Sequence, residues 1–210
     1  MKNLLFLPLS FGSMLMVGTM LTTGAMLTGC SWVGDANTVK VEDWQSPEGT
    51  VRLDYLLGND PGSKSATIWL DSIKNSFRKE DPQVRCQACL LYQSADYLTY
   101  YLGMQTLPTE YYEGDQNSRM VTFSREDGHV VRPSELTDDM AQLARQVLAH
   151  TRLENDWVVE AMGGEEAFQA AVRDFEVGVT TRGLTFAFPV MKGTWQFICT
   201  IPSSEVKIDM

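Results

Sequence analysis

Val84-Arg85-Cys86-Gln87-Ala88-Cys89-Leu90-Leu91-Tyr92-Gln93, then Ser94-Ala95-Asp96, then Tyr97-Leu98-Thr99-Tyr100-Tyr101-Leu102-Gly103-Met104-Gln105-Thr106-Leu107 decides the fold class. Two long β-prone runs rich in aromatic and apolar residues flank three turn-forming residues, the signature of a β-hairpin. Tyr92, Tyr97, Tyr100 and Tyr101 suit pleated positions.

Outward from the hairpin the same reading continues. Thr50–Leu57 reads as an earlier strand, stopped by Gly58-Asn59-Asp60-Pro61-Gly62. A helix follows, with Ser63 or Ser65 as cap and Trp69, Ile73 and Phe77 on one face; Asp81-Pro82 ends it. Downstream, Arg119–Ser124 is a strand that turns at Glu126-Asp127-Gly128 into His129–Arg132. The clearest helix starts after Thr137, with Asp138 and Asp139 in its first turn and Met140, Leu143, Ala144, Val147 and Leu148 as its apolar stripe. Another helix covers Glu165 to Phe175. Two strands close the chain, Leu184–Val190 and one that sets Trp195, Phe197, Cys199 and Ile201 on one face. Strands and helices are segregated, not alternating. The expectation is an α+β fold, an antiparallel sheet packed on one face by two or three helices.

The N-terminus specifies a compartment. After Met1-Lys2-Asn3 the chain is uncharged from Leu4 to Gly29, the layout of a secretory signal. Leu27-Thr28-Gly29-Cys30 resembles the lipobox of bacterial lipoproteins, in which the cysteine thiol takes the diacylglycerol. An uncleaved membrane helix is the competing reading, weakened by Pro8, Gly12, Gly18 and Gly24. The expected organisation is a signal peptide over 1–29, a flexible tether over 30–49 anchored through Cys30, and one α+β domain over 50–210. Dual acylation holds such a chain stably at a membrane. The site is the cell envelope, outside the cytoplasm. In a two-membrane cell Ser31 after the cysteine favours the periplasmic side of the outer membrane.

Charge excludes some classes of partner. The net charge is −10, and loss of Lys2 with the leader makes the body more acidic still. Nucleic acid and anionic headgroups would repel it. Export favours a disulfide among Cys86, Cys89 and Cys199. In a regular strand Cys86 and Cys89 face opposite ways roughly 10 Å apart, too far to bridge. Cys86 and Cys199 both lie on the apolar side of their strands, so Cys86–Cys199 is the expected pair, with Cys89 free or turned to solvent.

No catalytic constellation emerges. His129 follows a turn and His150 closes a helix, where a cation is favourable anyway. Ser76-Phe77-Arg78-Lys79 matches an SxxK pattern, but Phe77 belongs to the buried stripe and Lys192-Gly193-Thr194 is not the KTG that pattern requires. No metal or cofactor motif is present. The candidate binding surface is the polar stretch from Pro108 to Ser118, where Tyr111 and Tyr112 sit with Glu113 and Asp115. Adjacent tyrosines amid carboxylates suit recognition of a sugar or a basic protein, though they also suit packing back onto the sheet.

Four pieces in order resemble the RsiV-like extracytoplasmic domain family. They are the aromatic hairpin leading to Tyr112-Glu113-Gly114; Val121-Thr122-Phe123 with Asp127-Gly128 and Pro133-Ser134-Glu135-Leu136; the amphipathic helix from Asp138; and Gly183-Leu184-Thr185-Phe186 with Ile201-Pro202-Ser203-Ser204-Glu205-Val206. The likeness spans about residues 85–208. The family's loop continues Gly-Gly-Ala-His where this chain reads Gly114-Asp115-Gln116-Asn117. That family includes a lysozyme-sensing anti-sigma factor and a module of peptidoglycan deacetylases. The resemblance implies a non-enzymatic envelope lipoprotein that binds a protein, such as a cationic lysozyme, or a cell-wall glycan such as peptidoglycan. A cell-wall hydrolase or esterase, and a structural envelope-assembly lipoprotein, are the alternatives.

Overall fold

Strand β1 (Val39–Ser46) turns back at Ser46↔Gly49 onto β2 (Gly49–Leu56), the two pairing antiparallel over their whole length. The computed structural model describes residues 39–46, 49–76, 84–106, 116–191 and 194–206, all within one compact unit. All of β1 falls in the segment expected to be a flexible tether over 30–49. That expectation is corrected: Val39-Lys40-Val41-Glu42 alternates apolar and polar, and β2 offers the whole of residues 39–46 a partner.

Helix α1 (Pro61–Ser76) carries the chain to β3 (Val84–Gln93), which lies parallel to β2 with Val51 beside Cys86 and Leu53 beside Ala88. Asp60 caps α1: its carboxylate accepts from the Ser63 amide at 3.0 Å and the Ser63 hydroxyl at 2.7 Å. Pro61 fills the first helical position, where no amide hydrogen is needed. The cap is therefore Asp60, not Ser63 or Ser65. Ala66, Leu70 and Ile73 form the buried stripe of α1. Trp69 sits at its border, edge-on to Tyr100 and Phe123 at 5.8 and 5.9 Å. Phe77 lies outside the described residues.

From β3 the chain meanders antiparallel through β4 (Tyr97–Thr106) to β5 (Gln116–Ser124), giving a sheet of order β1-β2-β3-β4-β5. The hairpin turn is Ser94-Ala95-Asp96, where Ser94 Oγ accepts from the Asp96 and Tyr97 amides. A bulge at Leu91 shifts the register from Leu90↔Tyr100 to Tyr92↔Thr99. The faces swap there, so Tyr92 leaves the side of Cys86, Ala88 and Leu90 for the opposite core. The run expected as a strand over His129–Arg132 makes a single bridge, Val130 to Phe123.

A short 3-10 turn, Pro133–Glu135, leads to α2 (Met140–Ala161) and α3 (Glu165–Ala171). Asp139, rather than Thr137, is the cap of α2, its Oδ1 accepting from the Gln142 amide at 2.8 Å. Leu143, Ala144, Val147 and Leu148 are buried as the stripe requires, and Gln142 and Arg145 are exposed. The helix runs through a kink at Asn155 (φ −149°, ψ 56°) to Thr151, Val158 and Val159 on the same core. His150 is thus inside the helix and not at its end, as the sequence reading had it.

Strands β6 (Glu176–Thr180), β7 (Gly183–Met191) and β8 (Thr194–Pro202) form a second antiparallel sheet in that order. Gly183 makes its turn at φ 134°, where a Cβ would stand 2.0 Å from the Ile201 carbonyl. Gly178 lets β6 press on β5, since a Cβ there would meet Met120.

The fold is α+β. The single antiparallel sheet with helices on one face is replaced by two sheets. One face of the larger sheet carries α1, and the smaller sheet packs against β4 and β5 on the other face. Helices α2 and α3 cover the far side of the smaller sheet. Two cores result, and they explain the cysteines. Cys86 is buried under α1 and Cys199 under α2, with the larger sheet between them. The expected Cys86–Cys199 disulfide is corrected: both are free thiols. Their strands are not neighbours, so two core-facing cysteines never meet. Cys89 is neither free nor turned to solvent: it is wholly buried and disulfide-bonded, and Gln87 donates to its sulfur at 2.8 Å.

Candidate functional site: an acidic groove beside the start of α2

Residues far apart in sequence meet around one cleft of about 670 Å³, lined by residues 134–139, Gln142, Leu143, Gln146 and residues 203–206. Three pieces build it. Pro133 starts the 3-10 turn that presents Glu135. The cap of α2 presents Asp138 and Asp139. The turn after β8 presents Glu205, its shape held by the Glu205 amide donating to the Pro202 carbonyl at 2.9 Å.

Four carboxylates therefore face one open space, and among the described residues its lining contains no lysine or arginine. Glu135, Asp139 and Glu205 are each positioned by the backbone or by a neighbour. Glu135 Oε1 accepts from the Arg132 amide at 2.8 Å, and Oε2 meets His129 Nε2. Asp139 is committed to the helix cap, and its amide donates to Thr137 Oγ1 at 3.1 Å. Gln146 Nε2 donates to the Glu205 carbonyl at 2.9 Å, and His150 Nε2 lies 3.0 Å from Glu205 Oε2. Both histidines of the chain thus hold a glutamate of this groove. The positive end of the α2 dipole lies under Asp138 and Asp139 and favours their charge. Chemically the groove offers acceptor oxygens to a cation. Among the described residues no group of three His, Cys, Asp or Glu side chains is set to hold a metal ion.

The sequence reading did not single out these residues as a site. The signal was nevertheless there, because Pro133-Ser134-Glu135-Leu136, the helix from Asp138 and the Ile201–Val206 ending are three of the four pieces that carried the family resemblance. The structure brings those three together. The residues expected to bind, Tyr111, Tyr112, Glu113 and Asp115, lie outside the described residues, as does Cys30. His129 is not merely a turn residue, since both ring nitrogens meet carboxylates.

Comparison with known proteins gives a likeness of chain course. Its structural neighbours are DUF3298 family proteins. One, from Pseudomonas aeruginosa PAO1, has a TM-score of 0.43 at 14% identity, over 80% of this chain and 90% of its own. Another, from Bacteroides fragilis, has a TM-score of 0.44 at 11% identity, over 79% of this chain and 91% of its own. No family model and no curated protein matches the chain. No functional residue is taken from these neighbours.

Proposed function

We propose that this chain is a lipid-anchored envelope protein whose folded body is a non-enzymatic binding module for a cationic protein of the lysozyme kind. The observation that carries the binding half is the groove, where Glu135, Asp138, Asp139 and Glu205 converge with no lysine or arginine among the described lining residues. A net charge of −10 adds long-range attraction, so a basic partner is steered before it docks. The anchoring half rests on Leu27-Thr28-Gly29-Cys30 directly after an uncharged run. The resemblance to the RsiV-like domain supports the same role, with the outer membrane as the site of the anchor in a two-membrane cell. A cell-wall glycan is the second ligand class, resting on that resemblance and on Tyr111 and Tyr112.

Calorimetric titration of the exported protein with hen-type lysozyme tests it. Weak binding at low ionic strength is expected. It should fade toward physiological salt, where the screening length is about 8 Å. Replacing the four groove carboxylates by their amides should remove most of it. No binding at low ionic strength, or binding indifferent to the four substitutions, contradicts the groove as the binding surface.

A further inference from the structure

Asp127 lies in the turn after β5, and Glu135 in the 3-10 turn before α2. His129 stands between them. Its Nδ1 is 2.5 Å from Asp127 Oδ1, and its Nε2 is against Glu135 Oε2. Each carboxylate also accepts from a backbone amide. Asp127 Oδ1 also accepts from the His129 amide at 3.3 Å, and Glu135 Oε1 accepts from the Arg132 amide. A neutral imidazole carries one N–H and one lone pair, so it can donate to only one of these carboxylates. The imidazolium donates to both.

We propose that His129 is a proton-operated latch that ties the turn after β5 to the Glu135 turn when charged and releases one of them when neutral. The groups around it leave this role to His129. Arg132 directs its guanidinium to the Asp174 carbonyl at 3.2 Å, and Arg125 directs its own to Asp60 and the Ser94 carbonyl. From the β3–β4 hairpin, Tyr97 is close enough to feel Glu135, with Asp96 beside it. Both are neutral or negative, so neither replaces the imidazolium. The hydrogen bonds to Asp127 and then Glu135 raise the affinity of His129 for its proton above the ordinary 6.5, against a smaller loss from burial. The latch is therefore shut below 6.5 and opens as pH rises through the raised value. Glu135 also lines the groove, so the neutral tautomer that keeps the Asp127 bond frees one of the groove's carboxylates. That consequence rests on the groove reading; the latch itself does not.

Nuclear magnetic resonance of the imidazole rings across pH tests the latch without any ligand. His129, assigned by its loss in His129→Gln, is expected to titrate above 6.5 with both ring nitrogens protonated below the midpoint. Asp127→Asn and Glu135→Gln should each move the midpoint back toward 6.5. Amide exchange at Val130 and Val131, corrected for its intrinsic pH dependence, should quicken across the wild-type midpoint and show no such step in His129→Gln. A midpoint at or below 6.5, or one unmoved by both substitutions, or exchange without the step, overturns it.

Discussion

The hydroxyls of Thr99 and Thr122 lie 2.9 Å apart, both wholly buried, in the seam between the two sheets. There they complete an edge. β6 is the outer strand of its sheet, so its outward backbone groups have no strand to pair with. Thr122 donates to the Val177 carbonyl at 2.8 Å and accepts from the Val179 amide at 3.1 Å. Thr99 donates to the Val179 carbonyl at 2.7 Å. Each hydroxyl has one proton, so a hydrogen bond between the two threonines would have to be taken from a carbonyl. Beside them Arg119 grips Glu176 through both carboxylate oxygens. Polar pairing, as well as apolar packing, fastens one sheet to the other.

Thr122→Val keeps the shape and removes the hydroxyl, leaving a buried carbonyl and amide without partners. The expected loss is about 1–3 kcal/mol in chemical denaturation. Thr122→Ser, which keeps the hydroxyl, should lose less. A valine variant as stable as the wild type would mean that the seam does not depend on these bonds.

Acid should act on two aspartates in opposite senses. At Asp60, burial alone would raise the pKa, but Arg125 and Ser63 outweigh it and hold it at about 2, below the usual 3.8. Its contribution is present above 3.8 and is lost as pH falls toward about 2. The advantage of wild type over Asp60→Asn should shrink across that window. Asp54 is raised by burial, with Arg52 opposing, and its Oδ2 finds no hydrogen-bond partner among the described residues. Ionising it is therefore unfavourable, and wild type loses stability as pH rises through the raised value. Asp54→Asn should be the more stable protein at neutral pH. Denaturation curves from acid to neutral pH check both, and a reversed order at either residue contradicts its assignment.

How much of this was legible in the sequence follows from how local each signal is. The β3–β4 hairpin was readable because Ser94-Ala95-Asp96 and its flanking runs are adjacent. The α2 stripe was readable because Leu143, Ala144, Val147 and Leu148 recur at helical spacing. Strand β6 was missed because Glu176-Val177-Gly178-Val179-Thr180 is short and owes its place to Thr99 and Thr122, far upstream. The parallel pairing of β2 with β3 is likewise long-range. The bulge at Leu91 cannot be seen in an alternating pattern, and it moves Tyr92 to the other core. The groove was illegible for the same reason: Glu135 and Glu205 meet only because β8 packs along α2.

The two free cysteines should be silent in the native protein. Burial pushes both Cys86 and Cys199 up to about 12, so neither supplies thiolate at neutral pH. A thiol reagent at neutral pH should find them only after unfolding. Prompt labelling of either in the folded protein, or a mapped Cys86–Cys199 link, would contradict the two-core arrangement.

The claim that most needs testing is the anchor, because a binding module held at a membrane meets different partners from a free one. Metabolic labelling with a fatty-acid probe tests it, comparing wild type with Cys30→Ala. The thiol is the only atom that can accept the lipid, so the account predicts labelled, processed wild type and an unlabelled, unprocessed variant. Equal labelling of the two proteins would contradict it.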